Sequence, residues 1–218
     1  MLKNERHYHT GATFNGLPVV HHRGPLYAPY LNRLYETLNL AMNDYSRLFV
    51  VRFDLHYPKG IDLNDELYGN GTISRFAASL KAKIKYNRQM AGINNIRVHD
   101  TKVRYVWARE IGQGGIPHYH VALLLNHDAF FTLGDFNGEN NLMYKITSAW
   151  CSVLNLSQDY FSGLVHVPNK NPTYKLNVND INGFASSYAD AFERLSYLCK
   201  VETKFDGDWV HSFDASQG

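Results

Sequence analysis

AREIGQGGIPHYHVALLL, residues 108–125, joins two alternating runs across a glycine-rich break. TKVRYVWAREI (101–111) and IPHYHVALLLN (116–126) each alternate as strands do, and GQGG (112–115) supplies the turn between them. Residues two apart on a strand share a face, so His118 and His120 project together while Tyr119 and Val121 project the other way. With the turn centred on Gly114, Glu110 lies opposite His118 on that same face. Two imidazoles and one carboxylate then converge on a point and leave coordination positions open. Such a nitrogen and oxygen set suits Mn²⁺, Mg²⁺ or Zn²⁺. Open positions are what a catalytic ion needs to grip a phosphate oxygen. A His-x-His pair alone reads more readily as a polar sheet face; Glu110 at the hairpin offset and the neighbouring strand shift the balance to the metal site.

The neighbouring pattern extends the case. In RLFVVRFDLHY (47–57), Phe49, Val51, Phe53 and Leu55 alternate with Val50, Arg52, Asp54 and His56, which predicts a half-buried strand with a polar second face. Asp54 and His56 are then supporting partners for the metal ligands. Helical spacing predicts helices over Pro25–Tyr45, from a Thr72 or Ser74 cap along Ile73, Phe76, Ala77, Leu80 and Ile84, and over Leu142–Leu154. Short strands are predicted at 163–167 and 173–178. The last helix, Ile181 to Lys200, has one apolar stripe of Ile181, Phe184, Ala185, Tyr188, Phe192, Leu195 and Cys199. Tyr197 falls roughly 160° from that stripe at helical periodicity, with Lys200 and Glu193 beside it, whereas Tyr188 belongs to the core. Residues 1–24 show no period and read as an arm whose histidines are solvated. Residues 25–204 read as the domain and 205–218 as a tail.

Composition bounds the partners. The 218 residues, 44% hydrophobic and 14% aromatic, suffice for one α/β domain with a sizeable core. No apolar run reaches the roughly 20 residues of a membrane span, and the polar amino end lacks a secretory signal. Cys151 and Cys199 are too few for a disulfide framework and fit free thiols in a cytoplasmic protein. The net charge is only +2, but Lys81, Lys83, Lys85 and Arg88 cluster, as do Arg194, Lys200 and Lys204. Such clusters are either solvated helix faces or footprints for a phosphate backbone. Arg52, Lys81, Lys85, Arg88 and Lys204 are the candidate DNA contacts. A tyrosine hydroxyl, with a free pKa of about 10, needs activation to act as a nucleophile. A nearby ion and Lys200 would provide it, or Lys200 would neutralise the leaving oxygen or stabilise the transition state.

These motifs resemble a known family. His118-Tyr119-His120 after its glycine-rich turn resembles the His-hydrophobic-His motif of HUH endonucleases, and Tyr197-Leu198-Cys199-Lys200 resembles the Tyr-x-x-Lys motif of their single-tyrosine replication initiators. Glu110 stands where such initiators often place a third ligand. GLVHVPNKNPTYKLN (163–177) followed by ERLSYLCKVETK (193–204) is similar to the inovirus gene-two replication proteins. The resemblance runs from about Arg47 to Ser216. Family members end near a Ser-Phe-Gly-x-Ser-Arg signature; here Ser212-Phe213-Asp214-Ala215-Ser216-Gln217 keeps the frame without the glycine and arginine.

The resemblance implies an α+β fold, a central antiparallel sheet flanked by helices in an RRM-like core. It implies a Mg²⁺ or Mn²⁺ cofactor and attack by Tyr197 on single-stranded DNA at a replication origin. The products would be a 3′-OH and a 5′-phosphotyrosine link, starting rolling-circle replication of a phage, satellite or plasmid. Termination would use a second subunit of a dimer or the same tyrosine again. The sequence has no G-x-x-x-x-G-K-[ST] motif, so helicase and polymerase would come from the host. Two other readings compete: a non-catalytic single-stranded nucleic-acid-binding module, and a zinc-dependent hydrolase or structural zinc site on His118, His120 and Glu110.

Overall fold

The computed structural model describes residues 7–60, 65–94, 97–112, 115–135, 138–157, 162–202, 204 and 211–216. In chain order the strands are β1 (Tyr8–His9), β2 (Thr13–Phe14), β3 (Leu17–Pro18), β4 (Leu26–Tyr27), β5 (Arg47–Leu55), β6 (Arg104–Ile111), β7 (Pro117–Asn126), β8 (Val165–His166), β9 (Thr173–Asn177) and β10 (Phe213–Ala215). The helices are α1 (Ala28–Asp44), α2 (Asn70–Ile93), α3 (Leu142–Leu154) and α4 (Phe184–Ser196).

One antiparallel sheet runs β10–β6–β7–β5, and the short strands β8 and β9 share the outer edge of β5. Alternation sets its two faces. Phe49, Val51, Phe53 and Leu55 of β5 and Tyr119, Val121, Leu123 and Leu125 of β7 enter a core that includes residues of α2 and α3. Val50, Val106, Ala108, Ala122 and Leu124 enter a second core with α1 and α4. The result is a mixed α/β fold with helices on both sheet faces.

Covering both faces corrects one expectation. β5 is not half-buried with a solvated polar side: Arg52 is 5% and Asp54 7% exposed. Buried charges persist only when paired, and the partners lie in the site described below.

Helix α3 spans the predicted residues. The Asn141 side chain caps it by accepting the Tyr144 N–H at 2.8 Å, and Asn155 closes it in the left-handed region at φ 56°. Helix α2 starts ahead of the predicted caps, with Gly69 at its N-cap, and Thr72 is fully buried inside its first turn. Helix α4 starts late. Asp180 Oδ1 accepts the Gly183 N–H at 3.0 Å and the Asp180 carbonyl accepts the Phe184 N–H at 2.9 Å. That turn leaves Ile181 91% exposed, outside the apolar stripe. At its other end α4 tightens into a 3-10 turn over Tyr197–Cys199.

The segments expected as arm and tail carry structure. β1 pairs with β4 and β2 with β3, while Val19 and Leu26 are buried in the α1/α4 core. The Val20 N–H donates to Ser196 Oγ at 3.0 Å, Leu26 bridges Lys200, and the Val201 N–H donates to the Pro25 carbonyl at 3.0 Å. The amino-terminal segment therefore clamps the turn that carries Tyr197. In the tail, β10 pairs with β6, and Phe213 stacks on Tyr30 at 4.3 Å. The predicted turn centre Gln113-Gly114, residues 1–6, and tail residues 205–210, 217 and 218 lie outside the described residues.

Candidate active site

The β6–β7 register pairs Glu110 with His118 and Ala108 with His120, so all three expected ligands share the α1/α4 face at one end of the sheet. Their donor atoms lie within 4.8 Å of one another. Glu110 Oε2 is 3.2 Å from His120 Nε2 and 3.9 Å from His118 Nε2. The two imidazoles stand edge to face, 4.9 Å between centroids.

Strand β5 supplies what holds them. The β5–β7 register sets Asp54 opposite His120, and His120 Nδ1 donates to Asp54 Oδ1 at 2.5 Å. This fixes the ring and turns Nε2 toward Glu110, the carboxylate–histidine arrangement common behind metal ligands. Arg52 Nη2 reaches Asp54 Oδ1 at 3.6 Å and lies 3.3 Å from His120 Nδ1. His56 stacks on His118 at 5.6 Å, and the Trp150 indole N–H donates to the His56 carbonyl at 2.7 Å, tying α3 to this end of the sheet.

The protonation pattern follows from these contacts. Burial opposes a charged Asp54, but bonding to His120, the charges of His120 and Arg52, and the His166 bond prevail, holding the carboxyl at about 2. Burial also opposes a charged His120, yet its bonds to Asp54 and Glu110 raise it above the ordinary imidazole value. His118 goes the other way: burial, then the charge of His120, brings it to about 4. His118 is thus a neutral imidazole with a lone pair to give at pH 7. A divalent ion fits this donor set: one buried carboxylate, one neutral imidazole, and one oriented imidazole whose proton leaves as metal binds.

A second trio, Asp54, His56 and His166, also has donor atoms within 4.8 Å. Its carboxylate is already committed to His120, Arg52 and, at 3.3 Å, His166 Nδ1, so Glu110, His118 and His120 form the better centre. From GLVHVP (163–168) alone, His166 reads either as a sheet-face histidine or as one that approaches the site. Only the β5–β8 register, Asp54 opposite His166, brings it in.

Tyr197 faces the sheet, not the solvent side that the helical angle predicted, because the helix tightens at that residue. Its ring lies edge-on to His120 at 5.7 Å. Side chains three apart eclipse in a 3-10 turn, and Lys200 Nζ sits 4.0 Å from the Tyr197 centroid. The Arg52 guanidinium lies 4.8 Å from the same centroid. Lys200 is itself buried, 6% exposed. Glu193, expected beside Tyr197, lines with it a groove of about 410 Å³ that also presents His22, Arg23, Lys170 and Arg194. His22, expected to be solvated, thus borders the site. On the other side of this trio His56, His118 and His166 line an open groove of about 1010 Å³.

Two of the expected DNA contacts are interior. Arg52 serves Asp54 and Tyr197. The Lys204 side chain is wholly buried, its Nζ 3.6 Å from Glu110 Oε1, and burial lowers its ammonium against the opposing pull of Glu110. Neither presents surface charge to a strand. Lys81, Lys85 and Arg88 ride on α2, over the opposite face of the sheet. Tyr188 is core as expected, its hydroxyl donating to Asn39 Oδ1 at 2.7 Å. Cys151 and Cys199 are free and buried. No helix among the described residues is long and apolar enough to cross a membrane.

The YagK/YfjJ C-terminal domain family model matches residues 9–216, and the chain belongs to that family. It is 39% identical over 193 residues to the uncharacterized protein YagK of Escherichia coli (strain K12), covering 86% of this chain and 92% of that protein. With the uncharacterized protein YfjJ of the same strain it shares 35% over 199 residues, 87% of this chain and 94% of that protein. No solved structure matches the chain.

Proposed function

We propose that this YagK/YfjJ-type domain is a metal-dependent DNA-nicking and rejoining enzyme that works through Tyr197, in the manner of the HUH endonucleases it resembles. One observation carries the reading: Glu110, His118 and His120 gather donor atoms within 4.8 Å, and the Tyr197 ring stands 5.7 Å from His120 with Lys200 against it. A polar sheet face has no need of a tyrosine and two buried cations over a histidine–carboxylate trio.

Glu110, His118 and His120 would hold Mg²⁺ or Mn²⁺, which when bound polarises the target phosphate. Asp54 keeps the His120 ring in place. Arg52 and Lys200 set positive charge beside Tyr197, where it favours the anionic form of the tyrosine oxygen that attacks. Attack of the Tyr197 oxygen on a phosphodiester forms a tyrosine–phosphate bond and breaks the bond to the 3′ oxygen. That oxygen takes up a proton in place of the one the tyrosine hydroxyl gives up and leaves as a 3′-OH, and reversal rejoins the strand. The fold would be the RRM-like HUH core. The reaction would open rolling-circle replication of a phage, satellite or plasmid in the cytoplasm. Host helicase and polymerase would complete it, and termination would use a dimer partner or the same tyrosine.

The test is covalent capture. The protein is mixed with single-stranded oligonucleotides tiling its genetic neighbourhood, with Mn²⁺ or with EDTA. A denaturant-resistant protein–DNA band is expected with Mn²⁺ alone, and is expected to vanish in Tyr197→Phe and His120→Ala. Scission that persists without a covalent band favours a metal hydrolase. Binding without scission on every sequence favours a binding module.

A further inference from the structure

We propose that the groove between α2 and α3, on the sheet face opposite the tyrosine, is a second and separate binding surface for single-stranded DNA. It rests on the preceding reading only in taking DNA as the polymer.

The charge distribution argues for it. The chain as a whole is nearly balanced, with 22 lysines and arginines against 20 acids. Yet α2 carries Arg75, Lys81, Lys83, Lys85 and Arg88 in 24 residues with no aspartate or glutamate. Helix α3 adds Lys145 in 13 residues and likewise has no acid. Lys81 and Lys85 stand four apart and Lys85 and Arg88 three apart, spacings at which like charges destabilise a helix. No acid of the helix itself relieves this run of like charge, which favours an external anion.

The groove has the other chemistry a single strand needs. It holds about 860 Å³ and is lined by Lys83, Tyr86, Arg88, Tyr144 and Lys145, with asparagines and no acid among the described residues of its walls. Tyr86 is 63% exposed, an unusual position for a tyrosine with no surface task and a suitable one for stacking a base. Lys145 is buried and directed to the Asn140 and Asn141 carbonyls, with burial lowering it to about 8, so it shapes the groove floor. Asp100 lies in a different groove, on the far side of Arg88. Single-strand sites combine such a basic track with aromatic platforms.

Position makes the surface independent of the catalytic one. Arg88, a wall of this groove, also borders Val103 just ahead of β6, whereas Glu110 is near the end of that strand. At ~3.3 Å per residue the two lie about 20 Å apart along the strand and on opposite faces. One short strand cannot fill both, while a longer one passing around the sheet edge can.

The experiment is fluorescence anisotropy on the full chain in EDTA, so that scission plays no part. A strand of about 8 nucleotides, within the span of one single-strand site, is compared with one of about 40. Lys83→Glu is expected to weaken the long strand about fivefold or more and to lower its log–log salt slope by about 0.7, one phosphate contact. Tyr86→Ala is expected to weaken it about fivefold, the low end of a base–tyrosine stack. Binding of the short strand to the Tyr197 face is expected to change little. These residues lie on the outer helix surface, so the variants keep their fold. The proposal is overturned by unchanged affinity and slope with the long strand. Equal losses on both strands, or a duplex competing as well as a single strand, overturn it too. Failure of covalent capture would leave all these readouts intact.

Discussion

Asp54→Asn probes the support behind the proposed metal ligands with little change of shape. The carboxylate accepts from His120 Nδ1 at 2.5 Å and from His166 at 3.3 Å while facing Arg52 at 3.6 Å. An amide keeps one acceptor oxygen but loses the charge and turns its other end into a donor. His120 then has no fixed orientation toward Glu110. Removing such an outer partner typically weakens metal binding about 10- to 100-fold. With metal at about 100 times the native Kd, binding stabilises the native fold by about 2.7 kcal/mol, and a 100-fold weaker variant by only about 0.4. At about 2–4 °C per kcal/mol for a chain of this size, the Mn²⁺-induced rise in Tm falls from about 5–11 °C to about 1 °C. A thermal-melt titration with Mn²⁺ reads this directly. An undiminished rise in the variant would refute the role given to Asp54, and no rise in the native chain would refute the metal centre.

Three further outcomes are expected. Lys204→Met removes a buried cation 3.6 Å from Glu110 and is expected to destabilise the metal-free protein by about 3 kcal/mol. It should leave the salt slope of DNA binding unchanged, and urea melts with salt titrations check both halves. Asp44 accepts from Arg104 Nε at 2.6 Å, tying α1 to β6. Burial opposes its charge, but the bonds and charges of Arg104 and Lys102 lower its pKa below the ordinary 3.8. A depressed carboxylate stabilises fully above that value and loses its contribution as pH falls through the folded one. Asp44→Asn is therefore expected to cost about 2 kcal/mol at pH 7, with the gap to the native chain closing below about pH 4. Tyr188→Phe loses one buried hydroxyl bond to Asn39, about 1 kcal/mol, and should keep full DNA capture, since that tyrosine is no second nucleophile.

Much of the site was legible because strand periodicity is rigid. A hairpin turn and a two-residue repeat suffice to place Glu110 across from His118, and the register agrees. The same repeat put Asp54 on the ligand face but could not tell that α1 and α4 cover that face. That is why Arg52 reads as a surface cation in the sequence and is interior in the fold. Lys204 misled for a similar reason: one lysine beyond a helix carries no pattern, and its burial depends on Glu110, about 90 positions away. Tyr197 was found by its spacing to Lys200, while its direction was missed because a wheel drawn at α-helical pitch fails where the chain tightens. The strand holding His166 was predicted but not its pairing with Asp54, and β10 escaped because a three-residue strand shows no alternation and only its pairing partner defines it.

The central claim is that Tyr197 takes up the phosphate. Mass spectrometry of peptides from the covalently captured, nuclease-trimmed protein tests it most directly. A nucleotide mass on the peptide holding Tyr197, dependent on Mn²⁺, is the predicted result. A nucleotide on any other residue, or a cleaved strand with Tyr197 unmodified throughout, would contradict it.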